Sequence, residues 1–212
     1  MSETMPGDDK PAGWMMRQLG VLTLLGFITV IIAIAVWFQI LSGLSPANES
    51  APLEFFTQSL LGMLSLTCLI IANRHRSWKL AFWLAGCAAL LALAIDERFE
   101  FHEQTGRRGW FDDDWFKIVS WACAAAVLYT IVRIERPARL AIGAIILGYV
   151  FHTMYIFFEM GDGEFFKLPL AKRTLRWCEE ISELLFLASY LVGFVLIHLD
   201  GHKRRVEKHS ES

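Results

Sequence analysis

Three apolar stretches of this chain begin or end in side chains able to bind a metal or move a proton. The first closes on Asp96-Glu97-Arg98-Phe99-Glu100-Phe101-His102-Glu103. The second carries His152 and Glu159, and the third opens on Glu179-Glu180-Ile181-Ser182-Glu183. Carboxylates with one or two imidazoles are the ligand mix of non-haem iron, manganese and carboxylate-rich zinc sites. The expected ligands are therefore Asp96, Glu100, His152, Glu159, Glu179 and Glu183, around a divalent metal ion (Fe, Mn or Zn). Such an ion acts as a Lewis acid or activates water or oxygen. Glu97 and Glu180, beside the ligands, are the expected catalytic groups for proton transfer.

Helical rise explains why groups so far apart in sequence would meet. At 1.5 Å per residue, Asp96 lies about 25 Å above Lys79, His152 about 20 Å above Arg139, and Glu183 about 22 Å above His198. Glu100, Glu159 and Glu179 or Glu180 form a second layer about one turn higher, at roughly 27–32 Å. Facing agrees with height. Asp96, Glu100 and Glu103 share one stripe. His152 and Glu159 are seven apart, with Tyr155 between them, and Glu179 and Glu183 are four apart. His102 points away from the Asp96 stripe.

A carboxylate inside hydrocarbon costs about 2.5–3.5 kcal/mol on insertion scales, so it must pair, protonate or coordinate. One arginine near the first group, Arg98, is too few for so many acids, whereas a divalent cation would serve. The basic flanks at the opposite ends of the helices look ordinary. Sequences that would name a reaction, namely His-Glu-x-x-His, Gly-x-Ser-x-Gly, a P-loop and Gly-x-Gly-x-x-Gly, do not occur. Nor does the Glu-x-x-His spacing of four-helix carboxylate sites.

The elements that would hold these residues are membrane helices. About 20 mostly apolar residues cross the hydrocarbon, and six runs qualify: 19–41, 53–72, 80–101, 115–134, 140–160 and 175–199. The fold class is thus all-α, a polytopic six-transmembrane-helix bundle. Residues 1–18 form an N-terminal tail and 200–212 a basic C-terminal tail, with the helical domain between them. The first run is too long for a signal h-region and reads as an uncleaved span. Lys10 and Arg17, Arg74, Arg76 and Lys79, Arg133, Arg136 and Arg139, and Lys203, Arg204, Arg205 and Lys208 all fall on one side. That bias places both termini in the cytoplasm and the acidic groups in the outer-leaflet half. The expected location is a bacterial inner membrane.

Composition agrees. The chain has 212 residues, 55% of them hydrophobic, with 16 Phe and 8 Trp, and its mean hydropathy is +0.41. Disordered and coiled-coil classes do not carry this much apolar surface. A net charge of −2 gives no general attraction to nucleic acid. Cys68, Cys87, Cys123 and Cys178 show no Cys-x-x-Cys spacing and read as buried hydrophobes. The expected function is a metal-dependent membrane enzyme, a hydrolase or oxidoreductase, acting on a lipid or other membrane-soluble substrate. The alternatives are a cation- or proton-coupled transporter or channel using the same acids, and a non-catalytic partner subunit held by polar contacts between helices. The basic-side half of every span is nearly free of ionisable groups, which counts against a conducting path.

Overall fold

The structure, a computed structural model, describes residues 30, 33, 34, 36, 37, 39–41, 52–99, 113–161 and 167–210. The described residues between 30 and 41 are helical and form α1. Five long helices follow: α2 (Pro52–Ala72), α3 (Trp78–Phe99), α4 (Asp113–Glu135), α5 (Arg139–Met160) and α6 (Lys172–Ser210). No strand occurs among the described residues. All five are long and apolar enough to cross a membrane. Length and apolarity decide this, because a backbone inside hydrocarbon must bond to itself. The ends of α2 to α5 match the expected runs within two or three residues, and the start of α6 does too; most of the expected run 19–41 lies outside the described residues. At the C-terminus α6 continues through the expected boundary at 199 to Ser210, for 39 residues. Its length of about 58 Å is nearly twice the thickness of a bilayer's hydrocarbon core.

α6 is the central helix. Leu184, Leu187, Val192 and Ile197 are almost fully buried on it. It packs against α5 on one side and α2 on the other, while α3 packs on α2 and α4 on α5. Small residues let the backbones come close, as in other membrane bundles. A Cβ at Gly148 of α5 would lie 2.5 Å from the Tyr190 ring of α6, and one at Gly193 of α6 would lie 2.8 Å from Ile145 of α5. The outer faces of α3 and α4 stay apolar and uncovered, with Leu84, Leu91, Val127 and Tyr129 all exposed. Lipid is the solvent such faces suit.

The basic ends of the helices are more than flanks, which corrects the expectation. Arg74, in the turn after α2, donates to the backbone oxygens of Ile197 and His198 on α6. Its guanidinium occupies the space where a Cβ at Gly201 would stand, 2.5 Å from Nη1. The Glu135 carboxylate, at the end of α4, accepts from Trp83 Nε1 at 2.9 Å and lies 2.9 Å from His75 Nε2. Asp200 of α6 accepts the Ala138 amide at 2.9 Å. That amide belongs to the N-cap of α5, which has no side-chain cap of its own. An acid there satisfies an orphan donor and suits the helix dipole. Two turns, 73–77 and 136–138, are thus fastened to one stretch of α6. Both contain a residue of positive φ, Ser77 at 64° and Arg136 at 46°.

Candidate functional site

The register between α5 and α6 sets what meets at the acidic ends. Ile145 lies against Gly193, Gly148 against Tyr190, and His152 against Phe186. Each step forward on α5 matches an equal step back on α6, as antiparallel helices require. Carried on by two turns, the same register brings Glu159 level with Glu179. The two are close enough to act on each other electrostatically, and Lys117 of α4 is within the same reach of Glu179. Of the second layer inferred from helix rise, Glu159 and Glu179 stand level with each other, while Glu100 lies outside the described residues.

Each of these acids holds a cation. Lys117 Nζ lies 2.9 Å from Glu159 Oε1, and both side chains are largely buried, at 14% and 15% exposure. Arg176 Nη1 lies 2.9 and 3.1 Å from the two Glu179 oxygens, one turn back on α6. Four charges thus run from α4 across α5 to α6, two neighbouring carboxylates with a cation on either side. Pairing of this kind is what lets ionisable groups persist at membrane depth. Glu159 Oε2 is different: it is buried and has no hydrogen-bond partner among the described residues.

His152 does not join the acids. Its ring stacks on Phe186 with centroids 4.6 Å apart and sits edge-on to Tyr149 and Tyr190. The Tyr190 hydroxyl lies 3.4 Å from His152 Nδ1. Trp121 of α4 continues this aromatic layer, stacked on Tyr149 at 5.6 Å and donating to Thr153 Oγ1 at 3.0 Å. The imidazole expected as a metal ligand therefore packs two turns below the Glu159 and Glu179 level.

The other expected residues fall as follows. Asp96 is half-buried near the acidic end of α3. Glu180 and Glu183 are half-buried on α6, on either side of the buried Ser182. The Glu97 side chain and the whole of Glu100 lie outside the described residues. Among those described, no group of three His, Cys, Asp or Glu side chains is placed to hold a metal ion. The argument for a metal rested on acids lacking cations, and for Glu159 and Glu179 that premise fails. Lys117 was the residue missed. It sits one turn into α4, and its signal was in the sequence: a lone lysine among Trp115, Phe116, Ile118 and Val119.

A family model for a domain of unknown function, DUF8692, matches residues 15–199. The chain belongs to this family. The matched range takes in every helix described here except the last part of α6, so the four charges and both turns lie within the family's domain, while Asp200, which fastens the second turn, lies one residue beyond it. No curated protein and no solved structure matches the chain.

Proposed function

We propose that this multi-pass membrane protein binds a membrane-soluble molecule at the level of Glu159 and Glu179, through a polar head that donates a hydrogen bond. Glu159 Oε2 carries the reading. A buried oxygen left without a donor costs about 1–3 kcal/mol, more when charged, and a hydroxyl, amine or amide on the ligand would recover that cost. The aromatic layer of Trp121, Tyr149, His152 and Phe186 lies directly below and suits the apolar body of such a molecule. A site at this depth is reached from the bilayer itself. On the positive-inside reading the site lies in the outer-leaflet half with both termini in the cytoplasm, and a bacterial inner membrane is the location this reading expects. Any proton transfer to the bound head would pass through Glu159, with Glu180 as the expected neighbouring group.

A binding site fits better than a conducting path. Between the two polar ends, Ser65, Thr67, Ser120, Thr130 and Thr153 each bond to a backbone oxygen, four of them within their own helix. These five offer an ion no free step; among the described residues the buried Thr57 Oγ1, near the start of α2, does lack a partner.

The test is mass spectrometry of molecules retained by the detergent-purified protein, wild type against Glu159→Gln, with Glu135→Gln as a control at the other end. The reading expects one class of polar-headed lipid-soluble molecule on the wild type and on Glu135→Gln, lost from Glu159→Gln. Equal retention by all three proteins would overturn it. So would stoichiometric iron, manganese or zinc by elemental analysis, which would restore a metal centre and require Lys117 and Arg176 to release their acids.

A further inference from the structure

Below Glu159, the seam between α5 and α6 has more hydrogen-bonding capacity than its own residues use. Ser182 of α6 lies three residues from Glu179 and four from Phe186, so all three share one helix face. That face meets α5, where His152 stacks on Phe186 and Glu159 stands level with Glu179. Ser182 is buried, yet its hydroxyl bonds to no described residue. His152 meets the Tyr190 hydroxyl through Nδ1, and no described residue bonds to its other ring nitrogen, Nε2. Glu159 Oε2 is likewise without a described partner. Three such atoms follow one another down two turns of a single seam.

Aromatic rings line the same strip. Tyr155 stands between Glu159 and His152 on α5, its ring 5.6 Å from that of Phe186 and 6.4 Å from that of His152. Tyr155 and His152 are only half-buried, so the bundle does not close over this strip of α5.

An occupant has both ends of the strip to satisfy. Glu159 and His152 are seven residues apart on one face, a rise of about 10.5 Å, and side chains on one face lean the same way. Hydrogen bonds of about 2.8 Å at each end leave roughly 5 Å for the molecule itself. That is close to the separation of two oxygens on opposite carbons of one benzene ring. Such a ring would lie against Tyr155 and Phe186. The Glu159 end also selects a redox form. A carboxylate paired with Lys117 accepts and does not donate, so the oxygen it meets must carry a hydrogen. Neighbouring carboxylates at Glu159 and Glu179 disfavour a phosphate headgroup.

On the binding at Glu159 proposed above, we infer that the bound molecule is a lipid-soluble para-quinol, held in preference to its oxidised quinone. One hydroxyl donates to Glu159 Oε2, the other meets His152 Nε2, and Ser182 Oγ faces the strip between them. A quinone brings only acceptors and leaves Glu159 unsatisfied.

Equilibrium dialysis of the full chain in nanodiscs under argon, against tetramethyl-para-hydroquinone and its oxidised form, tests this. The wild type should bind the reduced form about tenfold or more tightly, the worth of one hydrogen bond to a charged acceptor. His152→Phe keeps a ring against Phe186 and removes the nitrogens, so it should weaken quinol binding roughly tenfold. The reduced and oxidised forms are compared on the wild type, so that result stands even where His152→Phe does not fold. Equal binding of the oxidised form would overturn the inference. So would tetramethyl-ortho-hydroquinone or dodecanol binding as tightly as the para form; where that binding is lost in Glu159→Gln, the Glu159 site itself survives. Full quinol affinity in Glu159→Gln would instead remove Glu159 as the site, and the quinol with it.

Discussion

Glu159 of α5 and Glu179 of α6 stand at one level of the bundle, each held by a cation from a different place in the chain. Lys117 reaches Glu159 from α4, and Arg176 reaches Glu179 from one turn away on α6. The arrangement makes α4 part of the bundle in an unusual way. Leu128 and Ile131 of α4 are buried in the apolar core, and this ion pair and Trp121 add polar and aromatic ties to α5.

Removing one member of the Lys117–Glu159 pair should therefore hurt more than removing both. Lys117→Met leaves a largely buried carboxylate without its cation, at a cost of about 3–5 kcal/mol. Lys117→Met with Glu159→Met should recover most of that loss, because two apolar chains of similar length suit this depth. Unfolding titrations in bicelles of the four proteins of the cycle measure the coupling directly. Additive losses would show that the two side chains do not interact.

Two glycines on α5 should respond in opposite directions. Gly143 has open space around it, so Gly143→Ala should be neutral or stabilising by up to about 1 kcal/mol through helix propensity. Gly148 faces the Tyr190 ring and the Phe186 backbone oxygen. The ring is hemmed in by His152 and Phe186, so Gly148→Ala should cost about 1–3 kcal/mol through overpacking. The same unfolding titration reads both.

The fastening at the basic end should behave as a unit. Glu135→Ala strands the Trp83 indole and His75 together, so it should cost about 2–3 kcal/mol. On that background His75→Ala should add little, whereas on the wild type it should cost about 1 kcal/mol. Equal effects of His75→Ala in both backgrounds would remove Glu135 as its partner.

Gly201→Ala should act at a distance from its own helix. The added methyl would meet the Arg74 guanidinium at 2.5 Å, pushing it off the Ile197 and His198 oxygens. Arg74→Ala should cost stability in the wild type and nearly nothing in Gly201→Ala, since the contact is already lost there. Thermal melts of the single and double variants check this.

The helices were legible in the sequence because bilayer thickness fixes how long an apolar run must be, and that property belongs to the runs themselves. The shared height of Glu159 and Glu179 was legible for the same reason, since helix rise converts residue number into depth. What those acids hold was not. Ranking cations by nearness to the Asp96 group brought Arg98 forward and passed over Lys117, whose partner lies on the next helix. His152 shares a helical face with Glu159, yet its ring lies against Phe186, because a face spans two turns and the register with α6 decides which neighbour each turn meets. The network at the other end was hidden by its setting: Glu135 and Asp200 are single acids among many arginines and lysines, and only the folded turns show that they point inward.

Cysteine cross-linking between α5 and α6 tests the shared level of Glu159 and Glu179 most directly. In a background with the four native cysteines replaced, Glu159→Cys should form a disulfide with Glu179→Cys under mild oxidation in the membrane. The same α5 position should cross-link much more slowly with Glu183→Cys, one turn away. Preferential linkage of position 159 to 183, or to neither, would contradict the register and remove the charge relay built on it.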